Sequence, residues 1–451
     1  MPLTYYIAVM LCGALLLIGV VRIKADWCIP YGAALATIAA WYFVEPIYTP
    51  EQFAFFVPGD ISEAYLLVIV FLCGFALFTP VMVRTIAPPH VAAAARFGGG
   101  DANQLAIWAI AAWALILAYG TFRLSGDLMA ALFPVNSRTG VQMWSRQAGA
   151  GAGPTGFIVS AAAYLYTLCT AAFGLLFFMV KGVRMRAILL LLIAISWPYF
   201  VLLGARSTFI AVCLPAVLSY ALFARHPIWL KTIVVAGAGG VINLILLLII
   251  SYRNIGFGTA SISKPEGAIH YGLNMSSELV HAVSFLREGT LKIDFGMGYL
   301  TQAVNVIPRA IWAGKPLGSV EYSIARGFGD PTFQDIGVTA TVSTGIIGQG
   351  VLAFGPFFGP LVAAALFSAW VATLTRFWRQ GTPTRFLLFL IGLGLTFNLG
   401  RDVSLLVLWP MIFAYTAVKL LEQTQANGMR RSNNAVTGTA ALRRTWSRGK
   451  L

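Results

Sequence analysis

Arginine is the residue type whose placement in this chain carries the most chemistry. Nine arginines, Arg123, Arg138, Arg146, Arg206, Arg253, Arg287, Arg309, Arg326 and Arg401, lie in or beside polar segments that the charge pattern assigns to one side of a membrane, with only three lysines among them. A guanidinium offers a planar fork to two phosphate oxygens and keeps its charge, so such a surface suits a lipid-linked diphosphate. The competing reading for any single one is an interfacial anchor whose stem lies in lipid and whose head reaches the headgroups. Arg206 in its Gly-Ala-Arg-Ser turn, Arg253 before Asn254, and Arg401 between Asn398-Leu-Gly and Asp402 have apolar residues on both sides. An arginine at membrane depth costs about 2.5 kcal/mol or more without a partner. For Arg401 a local pair with Asp402 is one solution.

Proton transfer needs a second kind of group. Glu278 and His281 are three apart in the stretch Asn274 to Arg287, where Leu279, Val280, Val283 and Leu286 recur at helical spacing, so an amphipathic helix puts both on one face. That helix lies on the membrane surface or covers a cavity. Asp294, Glu321, Asp330 and Asp335 are further acid or base candidates, and His270 is either one of them or a solvated loop histidine. Residue type singles out no one base. No metal-type spacing occurs, and Cys12, Cys28, Cys73, Cys169 and Cys213 fall in or beside apolar runs as packing residues, so no metal or cofactor is expected.

The elements that must position these residues are membrane helices. With 59% hydrophobic and only 10% charged residues, a chain of 451 cannot clothe soluble domains in polar side chains. Apolar runs of spanning length predict an all-α bundle of about eleven transmembrane helices (10–12), at 4–21, 29–45, 64–83, 104–122, 156–180, 187–203, 207–224, 232–252, 353–375, 384–400 and 403–421. With the N-terminus outside, the inside segments hold about 19 of the 31 Lys/Arg and about 3 of the 16 Asp/Glu, which is the expected cytoplasmic excess. The high net charge therefore reports topology and not nucleic-acid binding.

The chain divides into a first helical unit, 1–252, with an outer loop over 123–155; a large outer loop, 253–352, with helical or re-entrant elements; closing helices, 353–421; and a basic tail, 422–451, expected to be disordered near anionic lipid. No internal repeat supports the inverted symmetry common in transporters.

Within the second outer loop stand Gly296-x-Gly-Tyr-Leu, Ile307-Pro308-Arg309-Ala-Ile-Trp312-Ala-Gly-Lys315-Pro316, Ala340-Thr-Val-Ser343, Gly348-Gln349 and Phe354-Gly355-x-x-x-Gly359, followed later by Arg401-Asp402. In this order the motifs resemble those of the bacterial oligosaccharide-repeat-unit polymerases, the Wzy-type enzymes of O-antigen and exopolysaccharide synthesis, over about the last 200 residues. Gln349 stands where that pattern has glutamate. The resemblance implies a GT-C-like fold in the bacterial inner membrane, N-terminus periplasmic and C-terminus cytoplasmic. It implies transfer of a growing glycan from undecaprenyl diphosphate to the next lipid-linked repeat without a metal, alongside membrane lipids and, as further partners, a chain-length regulator and a flippase. On this reading Arg206, Arg253, Arg309, Lys315 and Arg401 bind the diphosphate and glycan, and Glu278 and His281 are the catalytic pair. An O-antigen ligase, a transporter or flippase, and an envelope scaffold are the alternatives.

Overall fold

Lipid offers the backbone no water to pair with, so apolar runs of this length must close their own hydrogen bonds as helices. The computed structural model describes residues 1–22, 26–87, 99–134, 143–144, 156–204, 206–255, 273–304, 307, 312, 320–328, 342–403 and 407–423. Their helices are α1 (Leu3–Val21), α2 (Cys28–Phe43), α3 (Glu45–Tyr48), α4 (Pro50–Phe53), α5 (Pro58–Ile86), α6 (Gly99–Arg123), α7 (Leu128–Leu132), α8 (Gly156–Met179), α9 (Val183–Leu202), α10 (Arg206–Phe223), α11 (Ile228–Ile255), α12 (Met275–Arg287), α13 (Met297–Val304), α14 (Val320–Ala325), α15 (Gly345–Gln380), α16 (Pro383–Arg401) and α17 (407–423). No strand occurs among the described residues.

Each of the eleven apolar runs falls on a helix, and among the described residues eight helices are long and apolar enough to cross a membrane. The chain is a multi-pass membrane protein. The apolar part of α10, Thr208–Phe223, is shorter, and α16 carries Arg385 and Arg401 near its ends. The basic tail beyond 423 lies outside the described residues.

The centre of the bundle is the pair α5 and α15. Tyr31, Phe75 and Phe71 stack in parallel at 5.1 and 6.1 Å, and Phe367 of α15 closes on Phe75 at 5.5 Å. Polar glue joins the same helices: the hydroxyls of Thr79 and Ser368 lie 3.0 Å apart, the kind of contact that holds helices together where water gives no hydrophobic drive. A second interface brings α10 against α8, where Ser219 Oγ donates to Leu175 O at 2.9 Å. The last third of the chain locks onto the first through Trp41 Nε1, which donates to Phe397 O at 2.7 Å. Helix α11 stands at the edge, with 6% of its apolar window buried.

One end of the bundle is fastened by ion pairs. Arg379 grips Asp26 at 2.7 and 3.1 Å, and Arg385 binds Glu422 while lying 4.9 Å from the Tyr415 ring centre. The other end carries α12, α13 and α14. Here α15 departs from a single rod: Gly355 has φ 78° and ψ 174°, which ends a first half-helix at Phe354 and starts the long one. The two halves meet backbone to backbone at Gly350 and Gly359, where a Cβ on either would overlap the other's main chain. The spanning part of α15 thus begins near the expected residue 353, preceded by a half-helix from Gly345 that falls within the stretch 253–352.

Candidate functional site

Helix α12 is the keystone of that end. Its Leu279, Val280 and Val283 are buried as the apolar spacing requires, but so are Ser276, Ser277 and Glu278. It packs between α2, α3, α5 and α15, so it is an interior element and not a surface-lying one. Its polar first turn is satisfied from below. Ser277 gives its backbone N–H and its hydroxyl to the two oxygens of Glu45, at 3.0 and 2.7 Å. A carboxylate at a helix N-terminus also meets the positive end of the dipole. Ser276 donates to Tyr42 O and accepts from Tyr65 at 3.2 Å. At the far end of α12, Arg287 pairs with the buried Asp60 in the first turn of α5.

Glu278 is 1% exposed and both its oxygens are engaged. Arg326, just after α14, donates Nε to Oε2 at 2.9 Å and Nη2 to Oε1 at 3.1 Å; Tyr322 donates to Oε2 at 2.6 Å and Asn274 to Oε1 at 3.1 Å. Burial lowers the guanidinium's proton affinity, but the hydrogen bond and charge of Glu278 outweigh it and hold Arg326 above the usual arginine range. Burial, then the Glu278 charge, pushes the Tyr322 phenol well above its ordinary value. Both stay protonated, and the cluster ties α14 to α12. His281 has different surroundings: its ring meets Phe56 edge-on at 4.7 Å and stacks with Phe285 at 5.7 Å. The expected shared face therefore does not unite Glu278 and His281 as a working pair.

From α14 a line of hydrogen bonds leads to Arg401. Val342 N–H donates to Ser323 Oγ at 3.0 Å, which fixes the residues just ahead of α15. The next residue, Ser343, accepts from Arg401 Nε at 2.8 Å. Thr344 is the N-cap position of the half-helix. Among the described residues no carboxylate pairs with Arg401, so the alternative of a local Asp402 pair gives way to this hydroxyl contact. Gln349 explains its departure from glutamate: its Oε1 accepts from Val403 N–H at 2.9 Å and its Nε2 donates to Val403 O at 3.4 Å. A carboxylate could make only the first of these bonds.

Beside this line opens a cavity of about 650 Å³, bordered by Lys292, Asp294, Thr301, Glu321, Thr344 and Gln349 together with apolar residues of α13, α14 and α15. Asp294 does not project freely into it, because its two oxygens cap α13 by accepting from Gly296 N–H at 2.8 Å and Gly298 N–H at 2.9 Å. A second hollow of about 650 Å³ is apolar and opens at the edge of the bundle, between Trp197 and Leu202 of α9, Phe209 of α10 and Ile245 and Ile249 of α11. Arg206 opens α10 one turn before Phe209, and Arg253 lies one turn beyond Ile249. The side chains of these two arginines, and all of Arg309, Lys315, His270, Asp330 and Asp335, lie outside the described residues. No group of three or more His, Cys, Asp or Glu residues gathers among the described residues.

The sequence reading named Arg326 as one outer arginine of nine and missed its function as partner to Glu278. The pair spans 48 residues and two elements, and no local periodicity carries it. Ser343 and Gln349 were visible as motif residues, but their meeting with 401–403 needs the folded bundle. Comparisons with protein-family models, curated proteins and solved structures found no match, so the site itself carries the functional reading.

Proposed function

We propose that this protein is an inner-membrane glycosyltransferase that polymerises undecaprenyl-diphosphate-linked oligosaccharide repeat units, passing the growing glycan to the acceptor sugar of the next lipid-linked repeat and releasing undecaprenyl diphosphate. The observation that carries the reading is Arg401 bound to Ser343 at the head of a half-helix, beside a polar cavity. The reaction's main demand is stabilising a leaving diphosphate, and a fixed guanidinium next to a helix N-terminus supplies positive charge to which the helix dipole adds. The apolar hollow of α9, α10 and α11 suits an isoprenoid chain, with Arg206 and Arg253 near one end for the diphosphate; Arg309 and Lys315 join this set through the motif. Glu278 and Arg326 then belong to the framework that holds α14 over the site.

In this reading eleven helices of a GT-C-like bundle cross the membrane, the α12–α14 end is periplasmic, the ion-paired end and the tail are cytoplasmic, and a chain-length regulator and a flippase work beside the enzyme. The test is to incubate the purified protein with polyprenyl-diphosphate-linked repeats and resolve the glycans by size. A ladder is expected; a single repeat that never lengthens overturns the proposal. An unchanged ladder from His281→Ala separates it from a ligase dependent on an outer-loop histidine.

A further inference from the structure

Deprotonation of the acceptor hydroxyl is the part of this chemistry that Glu278 and His281 leave unassigned. Three carboxylates belong to the cavity or its wall. Glu278 gives both oxygens to Arg326, Tyr322 and Asn274. Asp294 gives both to the N–H groups of Gly296 and Gly298. Glu321 borders the cavity, is exposed, and is the one of the three with no partner among the described residues. Its position is nonetheless fixed, because the adjacent Tyr322 is buried and bound to Glu278, and Ser323 holds Val342. Through Val342 and Ser343 the same short helix is coupled to Arg401. A carboxylate on a held backbone with a free head at a polar cavity is what a general base requires: reach, orientation and unspent lone pairs.

We infer that the cavity between α13, α14 and the first half of α15 receives the acceptor sugar, and that Glu321 is the base that takes its proton. This rests on the polymerase reading and extends it. The acceptor O–H proton passes to the Glu321 carboxylate as the acceptor oxygen bonds to the anomeric carbon of the donor glycan. The bond from that carbon to the diphosphate oxygen breaks, and its electron pair leaves on undecaprenyl diphosphate beside Arg401. Glu321 then returns its proton to water. Lys292 at the same cavity and the hydroxyls of Thr301 and Thr344 supply donors and acceptors for the remaining sugar hydroxyls.

The wild-type protein, Glu321→Gln, Glu321→Asp and Glu321→Ala are compared in the ladder assay with polyprenyl-diphosphate-linked repeats, from about pH 5 to 9. Thermal unfolding in detergent checks that each variant is folded. Expected are a loss of about 100-fold or more in rate for Glu321→Gln, a smaller loss for Glu321→Asp, disappearance of the acid limb of the pH profile in Glu321→Gln, and partial recovery of Glu321→Ala by added formate. A wild-type ladder with Glu321→Gln within twofold of it, or with the pH profile unaltered, overturns the base assignment while leaving the polymerase standing. A wild type that makes no ladder overturns both.

Discussion

Arg326 holds Glu278 through two nearly parallel hydrogen bonds of 2.9 and 3.1 Å across 48 residues of sequence, in a place where the carboxylate is 1% exposed. Such a pair contributes specificity of arrangement more than net stability, because both charges leave water to form it. Its geometry turns a loop helix of six residues into a fixed wall of the cavity.

Removing one partner should therefore be far worse than removing both. Arg326→Met leaves Glu278 buried and uncompensated, at a cost of about 3–5 kcal/mol, whereas Arg326→Met with Glu278→Met recovers much of that loss. Thermal unfolding of the purified protein in one detergent checks the order; a double variant no more stable than the single one would refute it.

The same pair fixes a pH dependence. Arg326 is held above its ordinary value, so its contribution is complete below the usual arginine range and disappears only as pH rises through the still higher folded value. The stability difference between wild type and the Arg326→Met, Glu278→Met double variant should then stay constant from about pH 7 to about pH 10, well below the arginine range. A difference that shrinks between about pH 8 and 10 would contradict it.

How much of this was legible beforehand divides along physical lines. Helices spanning lipid are dictated by local composition, so the eleven apolar runs and the stretch 274–287 could be read directly from hydropathy and period. Long-range polar contacts have no such period. Glu278 looked like a base sharing one face with His281 because α12 is amphipathic, but a helix wrapped on several sides buries its polar residues too. Gln349 looked like a failed glutamate until Val403 showed why an amide is needed there.

Gly355 and Gly359 should resist substitution. Gly355→Ala places a side chain at φ 78° with Ile293 in contact, costing about 1–3 kcal/mol in backbone strain. Gly359→Ala forces the two halves of α15 apart. Gly237→Ala, which meets nothing within 4 Å, should leave the protein unchanged. Folded yield and unfolding temperature measure all three, and equal values across them would dismiss the close packing as a constraint.

Arg401 should matter more to chemistry than to folding. Arg401→Ala is expected to slow glycan lengthening by about 100-fold or more, and Arg401→Lys to restore only part of it because a lysine lacks the fork. Ser343→Ala, which removes only the hydroxyl that steadies the guanidinium, should cost less. Rates from the ladder assay, compared at matched unfolding temperature, decide this; an Arg401→Ala enzyme as fast as wild type would remove the residue from the diphosphate site.

Orientation can be read independently of activity. In a cysteine-free background, a single cysteine at the exposed Glu288 beyond α12 should react with a membrane-impermeant maleimide in intact spheroplasts. One at Ser432 should react only after permeabilisation. The reverse pattern would invert the proposed topology.

The contact from Trp41 to Phe397 bridges 356 residues, and Arg401 reaches Ser343 only from the end of the same late helix. Synthesis proceeds from the N-terminus, so α2 enters the membrane long before its partner is made. Until the ribosome has delivered α16, the indole N–H of Trp41 lacks that acceptor and the guanidinium beside Ser343 does not exist. Assembly of the site is thus timed to the completion of the chain, and a translation product that stops before α16 inserts its earlier helices without acquiring the charge centre.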